Sequence, residues 1–301
     1  MDFLAAPAVL DGGLGTLLEA RGHDLSDAMW SARLLADSPD AIVSAHAEYF
    51  AAGAQVAITA SYQVGFDVLA RRGFSRADTE ALLRSSVELA AAARSSAVSD
   101  GTQRWVAASV GPYGATLGDG SEYLGSSGLT RDELRRWHEA RFAVLANAGA
   151  DLLALETIPS LDEGAALVDL VRGSGHPAWL SFTVENGRLR SGELMAEGFA
   201  LANSAEEILA VGINCSHPDE VRGAIAAAAS VTDRPIVVYP NSGEQWDAQA
   251  RVWRGSPGLP HTEEWAAGAN LIGGCCRVGP SDIARISRAR KPPQHTDDRT
   301  D

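Results

Sequence analysis

The chain has 301 residues, 46% of them hydrophobic and 21% charged, and a formal net charge of -14. A chain of that length and composition buries a large core, which excludes a disordered or fibrous protein. The negative charge repels phosphate backbones and anionic lipid, which argues against nucleic acid and membrane surfaces as partners and leaves small molecules as ligands.

The segment 1–13, MDFLAAPAVLDGG, has no basic region and its apolar run is broken by Pro7, so it does not read as a signal peptide. No apolar stretch approaches the ~20 residues that span a bilayer. The expectation is a cytoplasmic protein whose three cysteines are free thiols, metal ligands or nucleophiles rather than disulfides. Eight short apolar runs follow along the chain, at 8–11, 55–60, 105–110, 151–155, 178–183, 208–213, 235–239 and 269–273. They are nearly continuous in Val, Ile, Leu and Ala, as strands buried on both faces of a parallel sheet are. Longer segments between them carry helix signals. Ser38-Pro39-Asp40 places a capping serine before a first-turn proline. Thr130 with Glu133, and Ser160 with Glu163, both have the spacing of a capping box. Leu134, Trp137, His138, Phe142 and Leu145 recur at helical spacing as one apolar stripe. Pro218 and Pro280 stand near further helix starts. Eight strand–helix alternations in one chain of this size predict a single-domain α/β protein, a (β/α)8 TIM barrel over residues 1–290. Periodicity does not separate this from an open doubly wound sheet. The tail 291–301, polar and interrupted by Pro292-Pro293, is expected to be disordered.

In a (β/α)8 barrel the chemistry collects at the C-terminal ends of the strands. The apolar runs end in Asp11-Gly12-Gly13, Thr59-Ala60-Ser61-Tyr62-Gln63, Gly111-Pro112-Tyr113-Gly114, Glu156-Thr157, Asn214-Cys215, Pro240-Asn241-Ser242-Gly243-Glu244 and Gly273-Gly274-Cys275-Cys276. All three cysteines stand at such ends, on the sixth and eighth runs. Three thiolates with one open position is the donor set of a catalytic zinc, and Gly273-Gly274 gives adjacent cysteines the freedom to turn onto one ion. Spacing alone also admits three small buried side chains, a vicinal disulfide or a single reactive thiol. Glu156 ends a very apolar strand, where a carboxylate is solvated, ion-paired or bound to a ligand ammonium. His46 and His138 read as packed or surface residues of helices. His217 is either an extra ligand or a loop residue. No Ser-His-Asp set, GxSxG or P-loop sequence is present.

The segments VLDGGLGTLLEARG (9–22), AGAQVAITASYQ (52–63), SVGPYGA (109–115), DGSEY (119–123), AGADLLALET (148–157), GINC (212–215), VVYPNSGE (237–244) and LIGGCCRVGP (271–280) together resemble the homocysteine S-methyltransferase family. The resemblance runs through nearly the whole chain, and the pairing of GINC with GGCC is specific to that family. Within it the sequence is most similar to the free-standing S-methylmethionine:homocysteine methyltransferases, which have the barrel alone. The resemblance implies one zinc on Cys215, Cys275 and Cys276, and a homocysteine site at Asp11, Thr59 and Glu156 with the backbone of Gly12 and Gly13. It also implies a methyl transfer that yields methionine. After strand two, TASYQ departs from the betaine-using branch, which makes betaine a poorer donor than a sulfonium. Tyr113, Glu122, Tyr123, Asn241, Glu244 and Trp246 are candidates for the donor side, since aromatic faces and carboxylates suit a cation. The region 184–200 carries a family-like Gly-Glu turn with no contact assigned. The protein is expected to act as a monomer. Competing readings are a methyltransferase using betaine or another donor, a zinc-binding protein without turnover, and a hydrolase with Cys215 as nucleophile and His217 as its base.

Overall fold

The computed structural model describes residues 3–4, 6–25, 30–125, 127–247 and 252–290, and the tail expected to be disordered lies outside them. Eight strands form one sheet: β1 (Ala8–Val9), β2 (Val56–Ile58), β3 (Trp105–Val110), β4 (Leu152–Ile158), β5 (Ala178–Phe182), β6 (Ile208–Asn214), β7 (Ile236–Tyr239) and β8 (Leu271–Ile272). Their order is β1-β8-β7-β6-β5-β4-β3-β2, with every neighbouring pair parallel. A parallel bridge between Leu10 and Val56, with the Asp11 N–H donating to Val56 O at 3.0 Å, joins β1 to β2. The ring therefore closes into a (β/α)8 barrel, and the open doubly wound sheet is excluded.

All eight apolar runs are strands, but their ends differ from the expected ones. β1 and β8 hold only two residues in the ladder, because Asp11 and Gly273-Gly274 leave it to build the mouth of the barrel. β4 runs on through Glu156 and Thr157, with a register shift between Leu155 and Ile158 and a positive φ of 59° at Thr157. Such a bulge turns a side chain away from the ladder, as happens beside active sites.

The core has two layers. Leu10, Val56, Trp105, Ala107, Leu152, Ala154, Trp179, Ala210, Val237, Tyr239 and Leu271 fill the barrel, and Phe3 stacks edge-on against Trp105 with centroids 5.2 Å apart. The alternate positions, such as Val106, Ala108, Leu153, Leu155, Val211, Ile213 and Val238, face the surrounding helices. Burial on both faces is the reason the strands read as unbroken apolar runs.

Helix starts follow the expected capping chemistry only in part. α1 (Pro39–Ala51) begins on Pro39, but the Ser38 side chain expected to cap it makes no capping hydrogen bond; α2 (Arg76–Ser96) begins on a reciprocal Ser75–Asp78 box, and α3 (Arg131–Ala146) on the expected Thr130–Glu133 box. At α4 (Leu161–Val171) the Ser160 hydroxyl accepts from the Glu163 N–H, but the return half of the box is missing. The Glu163 carboxylate turns inward instead, accepting from Tyr113 N–H (2.6 Å) and meeting His138 Nε2 (2.8 Å). α5 (Glu220–Ala229) starts two residues after Pro218, and α6 (Pro280–Arg290) on Pro280. Two antiparallel hairpins follow strand ends: Val184–Glu185 with Arg188–Leu189 after β5, and Gln245–Asp247 with Val252–Arg254 after β7.

Candidate active site and metal centre

The three cysteines converge at the mouth. Cys215 Sγ lies 3.0 Å from Cys275 Sγ and 3.7 Å from Cys276 Sγ, all three sulfurs are within 4.8 Å of one another, and all three thiols are free. β7 makes this possible, since it sits between β6 and β8 in the ring. Its C-terminal end takes both cysteine turns: Tyr239 O accepts from Cys215 N–H (3.2 Å), Pro240 O from Cys275 N–H (2.8 Å) and Asn241 Oδ1 from Cys276 N–H (3.1 Å). Gly274 is required for the approach, because a Cβ there would lie 2.0 Å from a Val278 methyl. Cys215 itself adopts a positive φ of 50°, a conformation uncommon for a residue with a Cβ and one that collects at functional sites. Donation from the Cys215 thiol, which itself accepts from Cys275, holds the pKa of Cys276 well below the usual thiol range. Three sulfur donors this close could hold one metal ion.

Carboxylates surround the sulfurs. Asp11 is 1% exposed, and its Oδ2 accepts from Ile58 N–H (2.9 Å) while its Oδ1 is buried without a partner. Burial raises its pKa well above the ordinary value, and Glu156 adds to that rise. Glu156 accepts from the hydroxyls of Ser109 and of Tyr239 (3.1 Å), and burial pushes its pKa up to about 7 against those hydrogen bonds. Glu122 is likewise raised to about 7 by burial, with Cys215 and Asp119 contributing, and its Oε2 is buried and unpartnered. The Tyr123 hydroxyl lies 3.3 Å from Cys215 Sγ. The arrangement gathers carboxylates whose charge is costly while they stay unpaired and has acceptor atoms left over, as a site for a cationic ligand would.

The remaining predicted residues have protein partners. Thr59 Oγ1 accepts from Ser109 N–H (3.0 Å) and meets Ser61 Oγ (2.8 Å). Gly13 N–H donates to Val278 O (3.0 Å), and Gly12 packs against the same carbonyl. Tyr113 stacks edge-on against Trp137 at 5.1 Å. Glu244 pairs with Arg277 (2.5 Å) and accepts from Ser242 Oγ (2.9 Å). Trp246 lies in the hairpin after β7, and its side chain is outside the described residues. His217 stands apart from the sulfurs: its Nε2 meets Gly243 O (3.2 Å) and its Nδ1 accepts from Asp219 N–H (3.3 Å), so it is neither a fourth ligand nor a base poised for Cys215. His46 and His138 are fully buried packing residues.

Three residues were missed. Tyr62 has a buried hydroxyl beside Thr157, in an environment that includes Glu122, Cys215 and Glu156. Asn214 grips Thr157 from both ends of its amide, through Thr157 N–H (2.7 Å) and Thr157 Oγ1 (2.6 Å), and so fixes the strained turn beside Glu156. Arg141, 1% exposed, donates to Gly111 O (2.8 Å), Ser61 O (2.7 Å) and Tyr62 O (2.6 Å), which ties the ends of β2 and β3 together. Its signal was present: it occupies the apolar stripe of α3, at helical spacing from Leu134, His138 and Leu145, where a charge needs dedicated partners.

Comparison with known proteins agrees with this geometry. The family model described as homocysteine S-methyltransferase matches residues 8–290. Homocysteine S-methyltransferase 4 of Zea mays is 45% identical over 311 residues, covering 96% of this chain and 91% of the relative. Homocysteine S-methyltransferase of Escherichia coli (strain K12) is 42% identical, covering 92% and 93%. The crystal structure of the homocysteine methyltransferase MmuM from Escherichia coli, in its metallated form, superposes with a TM-score of 0.83 at 40% identity, covering 94% of this chain and 96% of that one. With three cysteines gathered at the mouth of a closed barrel and matches that span both the barrel and the cysteine turns, the chain belongs to the homocysteine S-methyltransferase family.

Proposed function

We propose that this protein transfers a methyl group from a sulfonium donor to the thiol of L-homocysteine, giving methionine, with zinc as its metal. S-methylmethionine is the first donor in this reading and S-adenosylmethionine the second. The observation that carries it is the set of three sulfurs within 4.8 Å of one another, ringed by buried carboxylates with unpaired oxygens. The donor set suits zinc, since thiolates are its preferred ligands and three protein ligands are the number found in catalytic sites. Cys215, Cys275 and Cys276 would hold the zinc, which would supply Lewis acidity that lowers the pKa of the acceptor thiol, its proton passing to solvent.

The protein's own groups do the rest. Asp11 Oδ1 and Glu156 take the ammonium of homocysteine, an ion that relieves the burial of both carboxylates. Thr59, Gly12 and Gly13 serve the acceptor site through the backbone they shape. On the donor side, Glu122, Tyr123 and Tyr62 offer negative potential and aromatic faces to a sulfonium, while Tyr113, Asn241 and Glu244 are engaged by protein partners and form the rim. A lone pair of the acceptor sulfur forms the new S–C bond. The donor's S–CH3 bond breaks with its electron pair staying on the donor sulfur, which departs as a neutral thioether and needs no acid. Alignment of the two sulfurs is then the main task of the fold. Among the described residues no helix is long and apolar enough to cross a membrane. In this reading the enzyme acts in the cytoplasm, for which the three unbridged thiols speak, and as a monomer, since one chain supplies the whole site.

The test is metal analysis joined to a donor panel. The purified chain should carry about one zinc and form methionine from homocysteine with S-methylmethionine faster than with S-adenosylmethionine, and not with betaine. Cys275→Ser should lose both the zinc and the methionine. Full turnover by zinc-stripped protein would contradict the reading, and zinc binding without methionine from any donor would leave a metal-binding protein without turnover.

A further inference from the structure

The hairpin after β5 brings a cation to the mouth. It leads into Arg190, whose guanidinium carbon lies 5.6 Å from the centroid of the Tyr123 ring. The hydroxyl of that same ring is the one 3.3 Å from Cys215 Sγ. A single aromatic ring therefore separates a guanidinium from the sulfur cluster. The placement is rigid. Gly125 has a φ of 77°, and a Cβ on it would lie 2.1 Å from Arg190 O, so the segment carrying Tyr123 and the end of the hairpin are in close backbone contact.

Arg190 is not fully used by the protein. Its Nε is buried with no partner, and its ion pair is with Glu185 (2.9 Å), a carboxylate 63% exposed and therefore weakly held. One chain position from Tyr123, the Oε2 of Glu122 is also buried and unpartnered. A guanidinium with one nitrogen unpartnered and a carboxylate with one oxygen unpartnered thus both flank the Tyr123 segment. A plain sulfonium would be repelled by Arg190. A sulfonium that carries a carboxylate at its far end would instead be oriented by it, with the carboxylate on the guanidinium and the sulfonium toward the sulfur-rich, negative side of the ring.

We infer that Arg190 binds the α-carboxylate of the methyl donor and Glu122 its α-ammonium, so that these two side chains discriminate among sulfonium donors. The inference rests on the methyl-transfer reading above and adds to it a residue that selects the donor. Arg190 lies across Tyr123 from Cys215, and the adjoining Ser191 N–H donates to Pro159 O (3.1 Å) just past β4, so the homocysteine KM is read beside the donor KM to separate the two substrates.

The experiment compares zinc-loaded wild type, Arg190→Gln and Arg190→Lys with two donors, S-methylmethionine and S-methylmethionine amide, in which the carboxylate is replaced. Wild type should prefer the carboxylate donor. Arg190→Gln should lose about 10- to 100-fold in kcat/KM for it, mostly in KM, the size expected for a lost hydrogen-bonded charge pair. Its activity with the amide and its KM for homocysteine should stay within about twofold of wild type, and Arg190→Lys should recover part of the loss. Equal losses with both donors, no loss with either, or a rise in the homocysteine KM would overturn the inference while leaving the methyltransferase reading intact. A wild type inactive with every donor would remove that reading, and the inference with it.

Discussion

Asp11 is a carboxylate held away from water with one oxygen paired and the other unpaired. Burial that raises its pKa means that the charged form is costly in the folded chain. Such a cost persists where a ligand repays it, and an ammonium is the ligand that would. Asp11→Asn should therefore separate function from stability. The amide keeps an oxygen for Ile58 N–H, so the fold tolerates it, and the buried charge is gone. Denaturant unfolding at pH 7 should show a gain on the order of 1 kcal/mol. Steady-state kinetics should show a homocysteine KM raised about tenfold or more, with the donor KM nearly unchanged. A loss of stability together with an unchanged KM would assign Asp11 a purely structural role.

At the scale of elements, Arg141 shows how a helix outside the barrel governs the mouth. Its guanidinium holds three carbonyls from the ends of β2 and β3, and burial lowers its pKa to about 10, still far above neutral. Arg141→Met fills a similar volume but leaves those carbonyls buried and unpaired, each costing about 1–3 kcal/mol. Thermal unfolding should show a fall in Tm on the order of 10 °C, and a midpoint within a degree or two of wild type would show that water replaces the arginine. The strands were legible in the sequence because two-sided burial writes itself as apolar runs, and the cysteines because they stand where those runs stop. The fine structure of the ends was not. β1 and β8 are cut to two residues by backbone groups that serve the mouth, which no propensity encodes. The Ser160–Glu163 box had the right spacing, yet Glu163 turns inward to His138 and Tyr113, partners brought by other elements. Arg190 sat in a hairpin whose spacing carries no chemical signal, and its place opposite Tyr123 follows only from the packing of two loops. The positive φ values at Thr157 and Cys215 depend in the same way on distant contacts, among them the grip of Asn214 on Thr157.

For the whole molecule, buried histidines set how stability follows pH. His46 on α1 is fully buried, and burial lowers its pKa to about 4. Above the unfolded value near 6.5 the ring is neutral in both states and the fold is at full advantage. As pH falls from 6.5 toward 4 the unfolded chain takes a proton that the folded chain refuses, so stability is lost through that window. His138, lowered by burial despite its contact with Glu163, acts in the same direction. Asp11, raised by burial, acts in the opposite one and offsets part of the loss, since the folded chain takes its proton first. His46→Leu isolates one contribution. Its unfolding free energy should fall less steeply on acidification, so that relative to wild type it gains about 2 kcal/mol at pH 5 over its standing at pH 7.5. The competing possibility is that Asp11 Oδ2, 3.8 Å from His46 Nδ1, holds the ring as a cation. A paired, protonated histidine would carry a raised pKa and stabilise the fold at low pH, and His46→Leu would then lose ground at pH 5. Denaturant titrations at the two pH values distinguish these signs directly, and the geometry favours the neutral ring, since neither of its nitrogens has a hydrogen-bond partner to stabilise a charge.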